Sequence, residues 1–269
     1  RLNPDGRLRH YPGSPFIALA HLRADDRLRL FEAHVNEVDV LAGNVRALGK
    51  DAVRRTLVQA GDPFPGASAA RKTVARSDPP ADSGPSSPAS APLAGPFDWV
   101  LIRVPKTLAL LEEQLIRLHG QLAPGARVVA AGMIKHLPRA AGELLEQYIG
   151  PLQASLAVKK ARLLSATPEQ RPVPVSPYPT RYRLDKPALE LVNHANVFCR
   201  EGLDIGTRAF LPHLPKALGA LRVADLGCGN GVLGIAYALS NPQAQLTLVD
   251  ESFMAVQSAQ ENWQAGLGE

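Results

Sequence analysis

The apolar positions of this chain fall into two spacings. Alternating or continuous short runs predict strands, and runs at three- and four-residue intervals predict helices. Near the start, Tyr11-Pro12-Gly13-Ser14-Pro15 is a turn before an apolar helix over Phe16 to Leu22. Leu28-Arg29-Leu30-Phe31 reads as a strand ending at Glu32. Val35, Val38, Leu41, Val45 and Leu48 keep helical spacing, and Gly49 closes that helix. Val53 to Val58 suggests a further short strand. Phe97 to Val104 is a buried strand, and Leu108, Leu111, Leu115 and Leu118 give an amphipathic helix. Ala126 to Met133 is the next strand, Ala140 to Ile149 the next helix, and Leu152 to Leu164 an antiparallel closing strand. Tyr182 to Leu191 and Asn196-Val197-Phe198 alternate as short strands before a helix that Asp204 is placed to cap.

The sharpest pattern lies further on. The apolar run Leu221 to Ala224 leads into Asp225-Leu226-Gly227-Cys228-Gly229-Asn230-Gly231, and Val232-Leu233-Gly234-Ile235-Ala236 continues as a helix. A second run, Leu246-Thr247-Leu248-Val249, ends in Asp250-Glu251. Strand, glycine-rich turn, helix and strand-end acid is the order of a nucleoside-binding α/β unit. The glycines let the backbone approach a ligand, and the acid can take two ribose hydroxyls. Gly229, Gly231 and Gly234 also spell the G-x-G-x-x-G of dinucleotide folds, which alone is weak. Asp225, two residues before the first glycine, extends the pattern to D-x-G-x-G-x-G. That longer pattern resembles motif I of the class I S-adenosylmethionine (SAM) methyltransferases, with Asp250 as their ribose-binding acid. Cys228 reads as a small side chain in the turn, with no chemistry of its own.

Composition narrows the class. The 269 residues suffice for one large or two modest domains. No run is long and apolar enough to span a membrane, and no signal-peptide pattern opens the sequence. Two cysteines, Cys199 and Cys228, offer neither a disulfide framework nor a metal cluster, which fits a reducing cytoplasm. The net charge is +5, yet no Lys or Arg occurs from Asp225 onward. Arg1 in place of Met, and Glu269 soon after a predicted helix, read as cut ends.

The sequence repeats itself at a shift of 218 positions. Gly13 falls on Gly231, Ile17 on Ile235, Leu28 on Leu246, Leu30 on Leu248, Glu32 on Asp250 and Asn44 on Asn262. This predicts two α/β halves of the doubly wound kind. The expected organisation is an opening part of an N-terminal domain over 1–60, a Pro/Ser/Ala-rich linker or insertion over 61–96, and the rest of that domain over 97–170. The start of a second, SAM-binding domain would then occupy 180–269. Asp78-Pro79-Pro80 lies in the Pro-rich stretch, followed by Ala81 and with no strand leading in, so it reads as solvated linker.

Four segments in order, VPKTLALLEEQL, LAVKKARLL, NHANVFCREGLDIGTRAF and DLGCGNGVLG, resemble the large-subunit rRNA guanine-N2 methyltransferases of the G type, over about residues 97–266. The opening run RLRHYPGSPFIALAHLRADDRLRLFEAH instead resembles the large-subunit rRNA adenine-N6 methyltransferases of the J type, which would set Ser14 and Glu32 toward SAM. The G-type resemblance implies an α/β fold of two Rossmann-like class I methyltransferase domains, the first inactive and the second binding SAM but C-terminally incomplete here. It implies cofactor contacts from Asp225, Gly227, Cys228, Gly229, Gly231 and Asp250. The segment carrying Asp204 and Arg200 would lie over the same pocket, with Asp204 either a cap alone or also a contact. The implied partner is 23S-type ribosomal RNA, met by a monomer without metal or membrane. In such enzymes the guanine amine is held by an N-P-P-F/Y motif after the fourth strand of the active domain. Here the first domain carries Val104-Pro105-Lys106 at its equivalent place, and the second ends before it, so no catalytic residue is named. Two further readings remain: a non-catalytic RNA-binding fragment, and a nicotinamide-dependent oxidoreductase.

Overall fold

The computed structural model describes residue 23 and residues 25–32, 35–60 and 95–268. The expected helix over Phe16 to Leu22, Ser14 and the stretch around Asp78-Pro79-Pro80 lie outside the described residues. The chain divides into two compact units, one drawn from the first 65 residues with 85–91, the other from 66–84 with 92–269.

The first unit is a parallel β-α-β crossover. Strand β1 (Leu28–Glu32) pairs with β2 (Thr56–Ala60) in the register Leu28↔Thr56 to Glu32↔Ala60. Helices α1 (Val35–Ala47) and α2 (Lys50–Arg55) connect them. Val45 and Ala52 are buried against Leu28, Leu30 and Val58. The strand expected over Val53 to Val58 instead runs from Thr56 to Ala60, and Val53 to Arg55 belong to α2. Gly49, at φ 100°, ends one helix and starts another, and Asp51 pairs with Arg54 and Arg55 at 2.9 and 3.0 Å along α2. Ion pairs at these spacings favour helix over the strand that the Val53–Val58 alternation suggests.

The second unit opens with a four-stranded sheet in the order β3-β4-β6-β5. Strand β3 (Phe97–Arg103) runs parallel to β4 (Leu122–Met133), with helix α3 (Leu108–Arg117) between them. Helix α4 (Arg139–Tyr148) then returns the chain to β5 (Leu152–Ala154) and β6 (Ala161–Ala166). Strand β6 is antiparallel to both its neighbours. The closing strand expected over Leu152 to Leu164 is thus two strands, because a two-residue turn at Lys159-Lys160 folds the segment back. Leu111, Leu115, Val128 and Leu145 are fully buried and form the core of this part.

The chain crosses to the rest of the unit through Arg171 to Pro179, fastened to α3 by two adjacent carboxylates. Glu112 accepts from the Tyr148 hydroxyl at 2.7 Å and from the Tyr178 hydroxyl at 2.6 Å. Glu113, 4% exposed, accepts from Ser176 at 2.6 Å. An antiparallel hairpin follows, β7 (Thr180–Asp185) with β8 (Ala188–Asn193). Asn196-Val197-Phe198, expected as a strand, is a turn. The Val197 amide donates to the His194 carbonyl, and Cys199 follows at φ 51°, which breaks any extended run.

After the short helix α5 (Ile205–Phe210), strand β9 (Arg222–Leu226) pairs in parallel with β10 (Gln245–Val249), with helix α6 (Val232–Ser240) crossing between them. Helix α7 (Phe253–Leu267) packs on β8 and β10. The core here unites Leu189 and Leu191 of β8 with Ile235 and Tyr237 of α6, Leu246 of β10 and Trp263 of α7. Helices α1 and α7 begin 218 residues apart, each just past the strand that the internal repeat aligns with its counterpart's.

Candidate functional site

An open cleft of about 960 Å³ lies at the carboxyl ends of β9 and β10, where open parallel sheets hold their ligands. Its floor is the glycine-rich loop. The amides of Gly227 and Cys228 both donate to the Val249 carbonyl, at 2.8 and 3.0 Å, which binds the loop to the tip of the neighbouring strand. Gly231 turns the chain into α6 at φ 82°, and a Cβ there would sit 3.0 Å from the Ala259 Cβ on α7. Only glycine combines that backbone with that approach. At Gly227 and Gly229 a Cβ would meet nothing within 4 Å, so the space above the loop is free.

Asp250 stands at the end of β10 with both carboxylate oxygens already oriented. One accepts from the Gly229 amide at 2.9 Å and the other from the Ser252 amide at 2.8 Å. Each oxygen retains a lone pair for a ligand. Asp225 lies behind the loop. It accepts from the Gly234 amide at 3.1 Å, and burial, reinforced by the charge of Asp250, raises its carboxyl above the ordinary range. Cys228 is buried, and its thiol is pushed up to about 12, first by burial and then by Asp250 and Asp225. It is inert at neutral pH.

The opposite wall comes from the segment between β8 and α5. Asp204 caps α5 through a 3.1 Å bond from the Thr207 amide and also lines the cleft; the Thr207 side chain, with that amide and the Gly206 amide after it, holds the carboxyl below the usual range against its partial burial. Phe198, Cys199 and Arg200 line it beside Asp204. Arg200 lies over the Tyr178 ring at 5.6 Å and donates to the Ala195 carbonyl at 3.1 Å. Ser252 joins the two walls: its hydroxyl accepts from the Asn196 amide at 3.1 Å and donates to the Asn196 carbonyl at 3.1 Å.

The cleft therefore brings together Asp204, Gly227, Cys228, Gly229 and Asp250, whereas Asp225 and Gly231 support the loop from behind. Sequence reasoning missed Thr107, Tyr182, Asn196, Asn230 and Ser252 on its walls. Asn230 had a signal within the motif itself. Its side-chain amide donates to Asn193 at 2.8 Å and to the Tyr182 hydroxyl at 3.1 Å, while its oxygen accepts from the Val232 amide at 3.2 Å. No group of side chains suited to a metal ion occurs among the described residues, and no helix among them is long and apolar enough to cross a membrane.

A glycine-rich loop between a strand and a helix, an acid at the end of the parallel neighbour and a cleft above both define a protein of the α/β methyltransferase class. Residues 33–170 match the model of the RLMG N-terminal domain, and residues 188–268 match that of the methyltransferase small domain. The chain is 64% identical over 276 residues to the ribosomal RNA large subunit methyltransferase G of Pseudomonas savastanoi pv. phaseolicola, covering 95% of this chain and 74% of that one. It is 80% identical over 201 residues to the protein of that name from Stutzerimonas stutzeri, covering 75% of this chain and 54% of that one. This chain belongs to the ribosomal RNA large subunit methyltransferase G family. It spans about half the length of some curated relatives and about three-quarters of others. A T. thermophilus 16S rRNA N2 methyltransferase, solved with AdoMet and guanosine, shares the fold with a TM-score of 0.57 at 16% identity, over 92% of this chain and 64% of that one.

Proposed function

We propose that the cleft binds SAM, and that the chain is the cofactor-binding part of an enzyme that methylates the exocyclic amine of a guanine in 23S-type ribosomal RNA, in the cytoplasm. The observation that carries this reading is Asp250. A carboxylate fixed through both oxygens at the mouth of an open glycine loop suits the two hydroxyls of a ribose. Family membership supports the substrate class, and the AdoMet and guanosine bound in the T. thermophilus structure agree with it.

In this reading Gly227, Cys228 and Gly229 present backbone to the cofactor, Asp250 holds its ribose and Asp204 closes the facing wall. Asp225 and Gly231 keep the loop in shape. When bound, SAM supplies a sulfonium methyl group to an amine nucleophile. The amine of guanine is conjugated into its ring and is a poor nucleophile, so the protein's part is to position it. No residue of this chain is assigned to that positioning.

Calorimetric titration with SAM, S-adenosylhomocysteine and NADH tests the reading. SAM and S-adenosylhomocysteine are expected to bind and NADH to give no heat. Tighter binding of NADH, or no binding of either adenosyl compound, overturns it in favour of a nicotinamide site or a purely structural cleft.

A further inference from the structure

Of the two aromatic side chains that line the cleft, Tyr182 is held and Phe198 is open. The Tyr182 hydroxyl accepts from Asn230 at 3.1 Å, and its ring is partly buried. Phe198 is 79% exposed although it stands on the cleft wall. The residues before it face inward: Ala195 and Val197 are 1% and 2% exposed, and Asn196 is bonded to Ser252. Phenylalanine has no polar tip to hydrate, so its open faces suit a flat partner.

The loop that presents the ring is pinned on both sides of it. Before it, Asn196 grips Ser252 through its side-chain amide and its carbonyl, both at 3.1 Å. After it, the Arg200 carbonyl accepts from the Thr180 hydroxyl at 3.1 Å, and the Arg200 guanidinium returns to the Ala195 carbonyl at 3.1 Å. Between these anchors Cys199 holds φ 51°, a left-handed conformation that a Cβ disfavours. A lone exposed apolar side chain is ordinary on a protein surface. One set on a pinned and strained loop at a ligand cleft is placed for contact. Ser252 also donates its amide to Asp250 at 2.8 Å, so the ribose acid and the loop under Phe198 share one anchor.

We propose that Phe198 is the platform against which the target guanine stacks once it has left its helix. An enzyme acting on a base edge takes the base out of the stack, and aromatic or apolar side chains then replace its lost neighbours. So exposed a ring stands at the mouth of the cleft, away from the floor formed by the glycine-rich loop. Stacking fixes the plane of the base, and the anchor at Ser252 fixes that plane relative to the cofactor, as an in-line transfer requires. The acceptors of the guanine amine stay unassigned. Stacking tolerates any base, so the ring orients guanine and does not select it. This role rests on the reading of the cleft as a SAM site serving a guanine acceptor.

The test follows guanosine binding by calorimetry to the chain saturated with S-adenosylhomocysteine, which has no methyl group to transfer. Phe198→Leu keeps an apolar side chain and removes the π face, while Phe198→Trp keeps a larger face. The leucine variant should bind guanosine roughly tenfold more weakly than the parent, the scale of one base–aromatic stack. The tryptophan variant should bind at least as tightly, and guanosine should quench the fluorescence that its indole adds to that of Trp99 and Trp263. Both variants should keep the parent's melting temperature and its affinity for S-adenosylhomocysteine. Unchanged guanosine affinity in the leucine variant overturns the proposal. So does an equal loss of guanosine and S-adenosylhomocysteine, which would place the ring on the cofactor. A parent that takes up S-adenosylhomocysteine and ignores guanosine overturns the platform and leaves the cofactor reading intact. A parent that binds guanosine but no adenosyl compound defeats the cofactor reading, and the leucine variant then decides the platform alone. A parent that binds neither ligand defeats both.

Discussion

The Gly229 amide and the Asp250 carboxylate are hydrogen-bonded at 2.9 Å, which joins the glycine-rich loop of one strand to the acid that ends the next. A second amide, from Ser252, holds the other oxygen. The acid is thus oriented before any ligand arrives, and the loop is shaped partly by the acid. Asp250→Ala removes both effects. It should weaken SAM and S-adenosylhomocysteine binding by about 1.5–3 kcal/mol, the range for a hydrogen bond to a charged group. Calorimetry on variant and parent decides, and equal affinities would place the ribose elsewhere.

Much of this arrangement was legible in the sequence because it is local. Strand, turn and helix around Asp225 to Ala236 are contiguous, and Asp250 follows the next apolar run directly. The residues that were missed act at a distance. Asn196 meets Ser252 across 56 positions, and Asn262 reaches Val192 across 70, contacts that no periodicity encodes. Thr107 reaches the cleft wall because Ala109, at the start of α3, packs with Ala195 and with Met254 of α7. The strand expected over Asn196 to Phe198 is a turn instead, closed locally by the Val197 amide on the His194 carbonyl, and all three of its residues line the cleft.

Asn262 is the central peg of the buried polar core. Its oxygen accepts from the Val192 amide at 2.7 Å, and its amide group donates to the carbonyls of Val192 at 3.0 Å and Asn230 at 2.9 Å. Asn262→Leu leaves one donor and two acceptors without partners in a site 1% exposed. Stability should fall by about 3 kcal/mol or more, since each stranded buried group costs about 1–3 kcal/mol. Denaturant unfolding measures it; a loss within experimental error would mean that water replaces the side chain.

The two cysteines should separate cleanly in reactivity. Cys199 is exposed on the cleft wall, whereas Cys228 is buried with its thiol held protonated up to about 12. At pH 8, alkylation with iodoacetamide should add a single label at Cys199, read by peptide mass mapping. Bound SAM should slow that labelling. Modification of Cys228 in the native protein would show that the loop opens.

Asp225 should give stability a pH dependence of unusual sign. Its folded carboxyl lies above the ordinary value of 3.8, chiefly through burial. The folded state therefore holds this proton more tightly than the unfolded chain does. The contribution is favourable at low pH and is lost as pH rises from the ordinary carboxyl value through the raised one. Asp225→Asn keeps an acceptor for the Gly234 amide and has no charge to bury. Denaturation midpoints across that window should fall with rising pH in the parent more than in the variant. Parallel profiles would show that the Gly234 bond outweighs burial.

Tyr178 connects the cleft wall to helix α3 by two interactions that can be separated. Its hydroxyl donates to Glu112 at 2.6 Å, and its ring lies under the Arg200 guanidinium at 5.6 Å. Burial, with the bond to Glu112, pushes the phenol well above its ordinary range, so the hydroxyl remains a donor throughout the working pH. Tyr178→Phe loses the hydroxyl and keeps the ring. It should cost about 1–2 kcal/mol of stability, within the range for a bond to a partly buried carboxylate, and leave SAM affinity unchanged. Tyr178→Ala also removes the platform on which Arg200 rests. Arg200 retains its bond to the Ala195 carbonyl but loses a cation–π contact of about 0.5–2 kcal/mol, so its guanidinium should sample orientations that the cleft wall does not tolerate. SAM affinity should then fall severalfold, beyond any change in the phenylalanine variant. If both variants bind SAM equally, Arg200 is held by its backbone partner alone and the ring contributes only packing.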